Sequence, residues 1–253
     1  MANARALRLR GVALLVLAGC VAALAGCRGS LLRQYEYDED IHLSLDGSAT
    51  IYVNGSLPAL MALRGFDLDL RPAARFDKER IRALYTSPGV RVVRVSSSRR
   101  SGRRFAHLRL DVDDIRRLPS AAPFAWAAIR LERMGPLYRF REDIGPSAGK
   151  PVGDVGWTGS ELVSFRLHVP SKIAYHNAGK DNLLRGNILR WEQPFSARLA
   201  GERLELEARM EPTSILYHTL WLFAGSLLAA LLVLGGIVLW VAKRARGRGL
   251  RTD

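Results

Sequence analysis

From Leu220 to Ala242 the chain runs without a charged residue, and Lys243, Arg244, Arg246 and Arg248 close the run. At roughly 1.5 Å of rise per residue, a helix over that stretch is about 34 Å long, enough to cross a hydrocarbon layer of about 30 Å. Tyr217 and Trp221 at one edge and Trp240 at the other are rings suited to headgroup depth. Positive residues flanking a span stay on the cytoplasmic side. The basic tail 243–253 is therefore expected in the cytoplasm, the span over 215–242, and everything before it outside. A buried core helix of this composition would need a large domain around it, and only a short tail follows.

At the other end, Arg5, Arg8 and Arg10 precede the apolar run Gly11 to Gly26, the order of a secretory signal. Residues 1–27 are thus expected to direct export. Leu17-Ala18-Gly19-Cys20 and Leu24-Ala25-Gly26-Cys27 each look like the lipobox of bacterial lipoproteins, whose cysteine is lipidated. Cys27 is favoured because polar Arg28 and Ser30 follow it directly. Cys20 stays the alternative, since it better fits the usual apolar core of about 7–15 residues. An uncleaved first span is a further reading, and every version ties this end to the same membrane. Both cysteines lie in this leader, so 28–214 has no disulfide pair or thiolate metal site and must be stabilised by packing.

The strong positive charge is unevenly shared. Of the 38 Lys and Arg, three sit in the leader and five in the tail, leaving 30 against 23 acidic residues in 28–214. A mildly basic surface outside the cell has no nucleic acid to serve, so anionic lipid headgroups or an acidic cell-wall polymer are its natural counterparts. A plain solvated arginine-rich face is the competing reading.

Within 28–214 the pattern is mostly of period two. Tyr35, Tyr37, Ile41, Leu43 and Leu45 keep one apolar face, with a slip at Glu39, and Asp46-Gly47 turns the chain into Ala49, Ile51 and Val53. Leu57 to Leu63 suggests a helical turn, and Asp77 caps a short amphipathic helix through Ile81, Leu84 and Tyr85. A second hairpin is expected around the polar arc Ser96 to Arg104, a short helix at 113–118, and a third strand pair at 124–133 and 137–142. Gly145 to Gly159 reads as an ordered loop, a candidate rim for a binding site. Strands are expected at 162–169, 172–176 and 187–191, and a last one, alternating Leu204, Leu206, Ala208 and Met210 with charged residues, immediately before the span. The expected fold is α+β: a β-rich antiparallel exported domain with two or three short helices, plus one C-terminal transmembrane helix.

No chemistry-bearing motif stands out. Glu36, Asp38, Glu39 and Asp40 would suit a hard cation, but alternation splits them between two faces and no glycine-centred loop gathers them, so a solvated strand face is expected. His168 and His176 would face one another across a hairpin, yet a zinc site needs a third protein ligand. His42 and His107 read as ordinary strand histidines. There is no nucleophile elbow, P-loop or dinucleotide fingerprint. No metal, cofactor or catalytic residue is expected, and Trp126, Trp157 and Trp191 read as core. Arg99, Arg100, Arg103 and Arg104, at the second hairpin's tip, form the densest positive cluster and are the candidate contact for anionic headgroups.

The order of parts resembles the LppM-like family of bacterial envelope lipoproteins. The residues that carry the resemblance are Cys27, the Asp46-Gly47 hairpin, Val169-Pro170-Ser171-Lys172-Ile173, Gly186-Asn187-Ile188-Leu189-Arg190-Trp191 and the span from Leu220. The resemblance implies an α+β exported domain of a lipid-accommodating kind and brings no catalytic residues. The function expected is that of a non-enzymatic binding module for lipid or envelope components at the outer face of the cytoplasmic membrane. The alternative is a structural or assembly subunit of a membrane complex, with Gly225, Ala229, Gly235 and Gly236 allowing close contact with a partner helix.

Overall fold

A computed structural model describes residues 34–71 and 73–248. The leader expected at 1–27, with Cys20 and Cys27, lies outside the described residues. The expected α+β domain followed by an apolar C-terminal helix is what forms. Strands β1 (Tyr35–Leu43), β2 (Ala49–Ser56), β3 (Val90–Arg100), β4 (Arg103–Val112), β7 (Leu162–His168), β9 (Leu183–Leu184) and β10 (Ile188–Pro194) make a seven-stranded sheet in the order β3-β4-β2-β1-β7-β10-β9. Strands β5 (Ala127–Met134), β6 (Leu137–Ile144), β8 (Ser171–His176) and β11 (Leu204–Ser214) make a second sheet in the order β5-β6-β11-β8.

Alternation builds each inner face. Ile41, Ile51, Val53, Leu110, Phe165 and Leu189 of the large sheet join Ile129, Leu131, Phe140, Leu206 and Met210 of the small one in a single buried core. Helix α1 (Leu57–Arg64) is apolar all round and accordingly buried from Leu57 to Leu63. The Ser56 side chain caps its start by accepting from Ala59 N at 3.1 Å. Gly65 ends it at φ +74°, a left-handed conformation that suits a residue without Cβ. Helix α2 (Lys78–Tyr85) begins at the expected cap, Asp77, and turns Ile81 and Tyr85 inward. A short α3 (Phe195–Leu199) follows β10, and 3-10 turns occupy 115–120 and 122–124.

Three local expectations change. The arc at 96–100 continues β3 rather than forming a loop. The short helix expected at 113–118 is a 3-10 turn over 115–120, with Pro119 inside it instead of ending it. And β7 and β8 do not pair: β7 lies between β1 and β10 in the large sheet, whereas β8 pairs with β11 in the small one. Pro170 has no N–H to extend a ladder, and at this point the chain passes from one layer to the other.

Ser214 is the last residue of β11 and Ile215 the first of helix α4 (Ile215–Arg248), so no loop separates sheet from helix. Within α4, Thr219–Trp240 is long and apolar enough to span a membrane, and none of it is buried by the domain. Among the described residues none covers its apolar surface, which suits a segment solvated by lipid.

Candidate functional site

The register gives the large sheet two poles. β7 ends at His168, and Val169-Pro170 leads into Ser171, which lies opposite Ser214 where the chain leaves the domain. Ser171 Oγ donates to the Glu211 carbonyl at 2.6 Å, and Ser214 Oγ to that of Pro170 at 3.3 Å. Because β1 runs parallel to β7, His42 lies at this same exit pole. The pairings Leu43↔Ala49 and Ala49↔Val112 extend the pole across the sheet. β4 starts at the other pole, beside the hairpin tip. At roughly 3.3 Å per residue, Arg103 is about 30 Å from Val112 along the strand.

The four arginines singled out in the sequence therefore sit at the pole remote from α4, and they divide into two pairs. Arg103 and Arg104 are 6% and 8% exposed. Arg103 grips Glu36 Oε1 through Nε at 3.2 Å and Nη2 at 2.9 Å, and donates through Nη1 to the Val155 and Gly156 carbonyls. Arg104 donates to the carbonyls of Asp69, Arg71 and Ala74. These two act as internal ties, which corrects the expectation that all four present charge to headgroups. Arg99 and Arg100 remain exposed, the latter with its guanidinium 4.4 Å from the Phe105 ring centroid. Beside them a groove of about 370 Å³ is lined by Leu57, Leu70 and Val152, by Arg71 and Arg99, and by the carboxylate-bearing Asp154.

Residues 145–159 are ordered, as expected, and strap the two sheets together. Ala148 N donates to the Leu63 carbonyl at 3.0 Å, Lys150 Nζ to that of Phe66 at 3.2 Å, and Trp157 Nε1 to Glu36 Oε2 at 3.2 Å. Trp157 packs against Phe195, ring centroids 4.7 Å apart.

The acidic run at 36–40 is not the solvated face expected. Glu36 and Glu39 are both buried. Glu39 points inward because β1 keeps its alternation through it. There it accepts from Arg64 Nη2 at 2.9 Å and from the Tyr37 hydroxyl at 2.6 Å. The Arg64 guanidinium lies 3.4 Å from the Trp126 ring centroid, a cation–π contact in the core, and that of Arg198 lies 4.8 Å from the same ring. Glu142, from the facing sheet, is buried beside this group. Burial first, and the charge of Glu39 next, push its pKa well above the ordinary value, against the opposing pull of Arg64. Burial and the neighbouring Arg64 charge push Arg198 down to about 10. Burial also raises the Tyr37 and Tyr85 hydroxyls. This seam belongs to the core, and the half-buried Trp126 packs against it.

Asp38, Asp40 and His42 occupy the opposite, outward face of β1. Arg166 on β7 bridges the two carboxylates, at 2.6 Å to Asp38 Oδ2 and 3.3 Å to Asp40 Oδ2. His168, two residues on, lies directly opposite His42. Their rings stack at 3.7 Å with 20° between planes, and Asp40 Oδ1 is 2.9 Å from His168 Nε2 and 3.7 Å from His42 Nε2. The topology thus pairs His168 with His42, not with His176 as expected from the sequence, and supplies the missing third donor in Asp40. Burial and then the neighbouring His168 hold His42 below its ordinary pKa. Burial alone would raise Asp40, but the hydrogen bond from His168 and the charge of Arg166 outweigh it and lower the group. Both histidines open on a polar groove of about 750 Å³ that also touches Thr50, Asp111 and Asn187. His107 is separately engaged, with Asn54 Oδ1 at 2.8 Å and Ser98 Oγ at 2.7 Å.

These features define a class: a two-sheet α+β domain carried on an apolar C-terminal helix, with polar surfaces at both poles. No protein-family model matches the chain, and no curated protein matches it. Among solved structures, the NMR structure of the folded domain of Mycobacterium tuberculosis LppM is similar to it, with 14% identity and a TM-score of 0.41, over 73% of this chain and 94% of that one. Nothing about ligand or activity follows from a likeness at that level.

Proposed function

We propose that this protein is a membrane-anchored, non-enzymatic binding module, displayed at the outer face of the cytoplasmic membrane, that takes anionic envelope components at its arginine-bearing pole. The observation that carries this reading is the separation of poles. The chain leaves for the span at one end of the strands, while Arg99 and Arg100 project at the other, beside a groove with apolar walls. That polarity favours a ligand held away from the anchoring bilayer, such as an acidic cell-wall polymer, over the bilayer's own headgroups. A spanning helix is by itself an effectively permanent anchor, and the reading rests on it alone, because β1 starts at the arginine pole, where the Tyr35 carbonyl accepts from Arg100, and an acyl group on Cys27 would draw that pole toward the bilayer.

The test uses the full chain in nanodiscs of zwitterionic lipid. Binding to a soluble acidic polyphosphate polymer and, separately, to anionic vesicles is measured at low and high salt. The polymer is expected to bind with a salt-sensitive affinity that falls about tenfold in Arg99→Glu/Arg100→Glu, while vesicles bind more weakly. Equal polymer binding by variant and parent would remove the role of this pole.

A further inference from the structure

We propose that Asp40, His42 and His168 form a binding site for a divalent transition metal, with zinc the best match to the donor set. The site follows from strand register. Parallel pairing sets His42 of β1 beside His168 of β7, and the period of two puts Asp40 on the same outward face one step along β1. One donor atom from each residue lies within 4.8 Å of the other two. Ligands at about 2.0–2.1 Å around a tetrahedral zinc are about 3.3 Å apart, and the distances of 2.9 and 3.7 Å from Asp40 Oδ1 to the two Nε2 atoms bracket that spacing. Two imidazoles and one carboxylate suit zinc and its neighbours better than calcium or magnesium, which prefer oxygen donors.

The surroundings fit as well. Arg166 engages the other oxygen of Asp40 and is itself tied to Asp38, so the carboxylate is aimed from behind while Oδ1 faces the histidines. Asp38 and Asp40 outweigh Arg166 by one negative charge. Side-chain exposure rises from 13% at Asp40 through 25% at His168 to 43% at His42, which gives an ion an approach from the groove. Three protein donors on an accessible face leave a fourth position for water or a ligand from the groove, the arrangement of open rather than closed zinc sites. Capture has to unstack the rings, because two ligands of one tetrahedral ion cannot lie face to face. His42, the more exposed, has the room to turn.

The experiment uses the untagged full chain in detergent micelles, stripped with chelator and titrated with Zn²⁺ by calorimetry, with Mg²⁺ as control. One equivalent of Zn²⁺ is expected to bind, Mg²⁺ is not, and Tm is expected to rise with Zn²⁺ concentration. His42→Ala and His168→Ala should each weaken binding at least about tenfold, whereas His107→Gln/His176→Gln should leave it unchanged. Equal affinity in parent and His42→Ala, or loss in the control variant, overturns the site. Should the alanine variants not fold, Co²⁺ added to the parent decides. Visible bands of a four-coordinate nitrogen and oxygen site support the proposal, and their absence overturns it.

Discussion

Arg64 sits at the last turn of an otherwise apolar helix and is carried wholly into the core, where Glu39, Tyr37 and Trp126 surround it. Removing one member of such a pair leaves an uncompensated charge, so Arg64→Met should cost about 3–5 kcal/mol of unfolding free energy. Adding Glu39→Gln should recover part of that loss, with a coupling of about 1–3 kcal/mol in chemical denaturation; additive effects would show that the two do not act as a pair. Glu142 yields a prediction with a definite sign. Its folded pKa is raised above the ordinary 4.5, so its contribution to stability is fully present below about that pH and is lost as pH rises through the folded value. Glu142→Gln is neutral at every pH. It should match the parent near pH 4 and exceed it in Tm by a few degrees near pH 8, as read by calorimetry. The slip at Glu39 in the strand pattern was the visible trace of this seam. It reads as an irregularity because one strand's alternation cannot show an arginine arriving from a helix 25 residues later.

At the scale of elements, the strap 145–159 owes its order largely to the grip of Arg103 on Glu36 and two strap carbonyls. Arg103→Ala should therefore speed amide hydrogen exchange across 153–160 while protection in β4 and β2 persists; unchanged exchange in the strap would show that Trp157 and Phe195 suffice to hold it. At the strap's origin Gly145 N donates to the Trp126 carbonyl at 2.7 Å, and a Cβ at Gly145 would lie 2.8 Å from that oxygen. Gly145→Ala must displace backbone and should lower stability by about 1–3 kcal/mol in chemical denaturation. Most strands, two of the helices and the hairpin turns were legible as hydrophobic periodicity and turn chemistry. Strand partners were not. Periodicity records which face of Leu162–His168 is apolar, but not that its neighbour is the first strand, more than a hundred residues earlier, in parallel. For that reason the His42–His168 contact stayed hidden while the spurious His168–His176 pairing looked natural.

For the whole molecule, the two-sheet body carries the exposed apolar helix α4 at one pole and exposed arginines at the other. The long apolar helix was legible from composition alone. Which pole of the body joins that helix depended on sheet topology. β11, the strand that becomes α4, is interior to its sheet, flanked by β6 on one side and β8 on the other. A pull on the body away from the bilayer would therefore load both hydrogen-bond ladders lengthwise, in shear, with many bonds sharing the tension instead of opening one after another. A junction with this geometry resists load applied along the strand. In a pulling experiment through the two ends of 34–248, rupture should need markedly more force than unzipping β3 from its edge position.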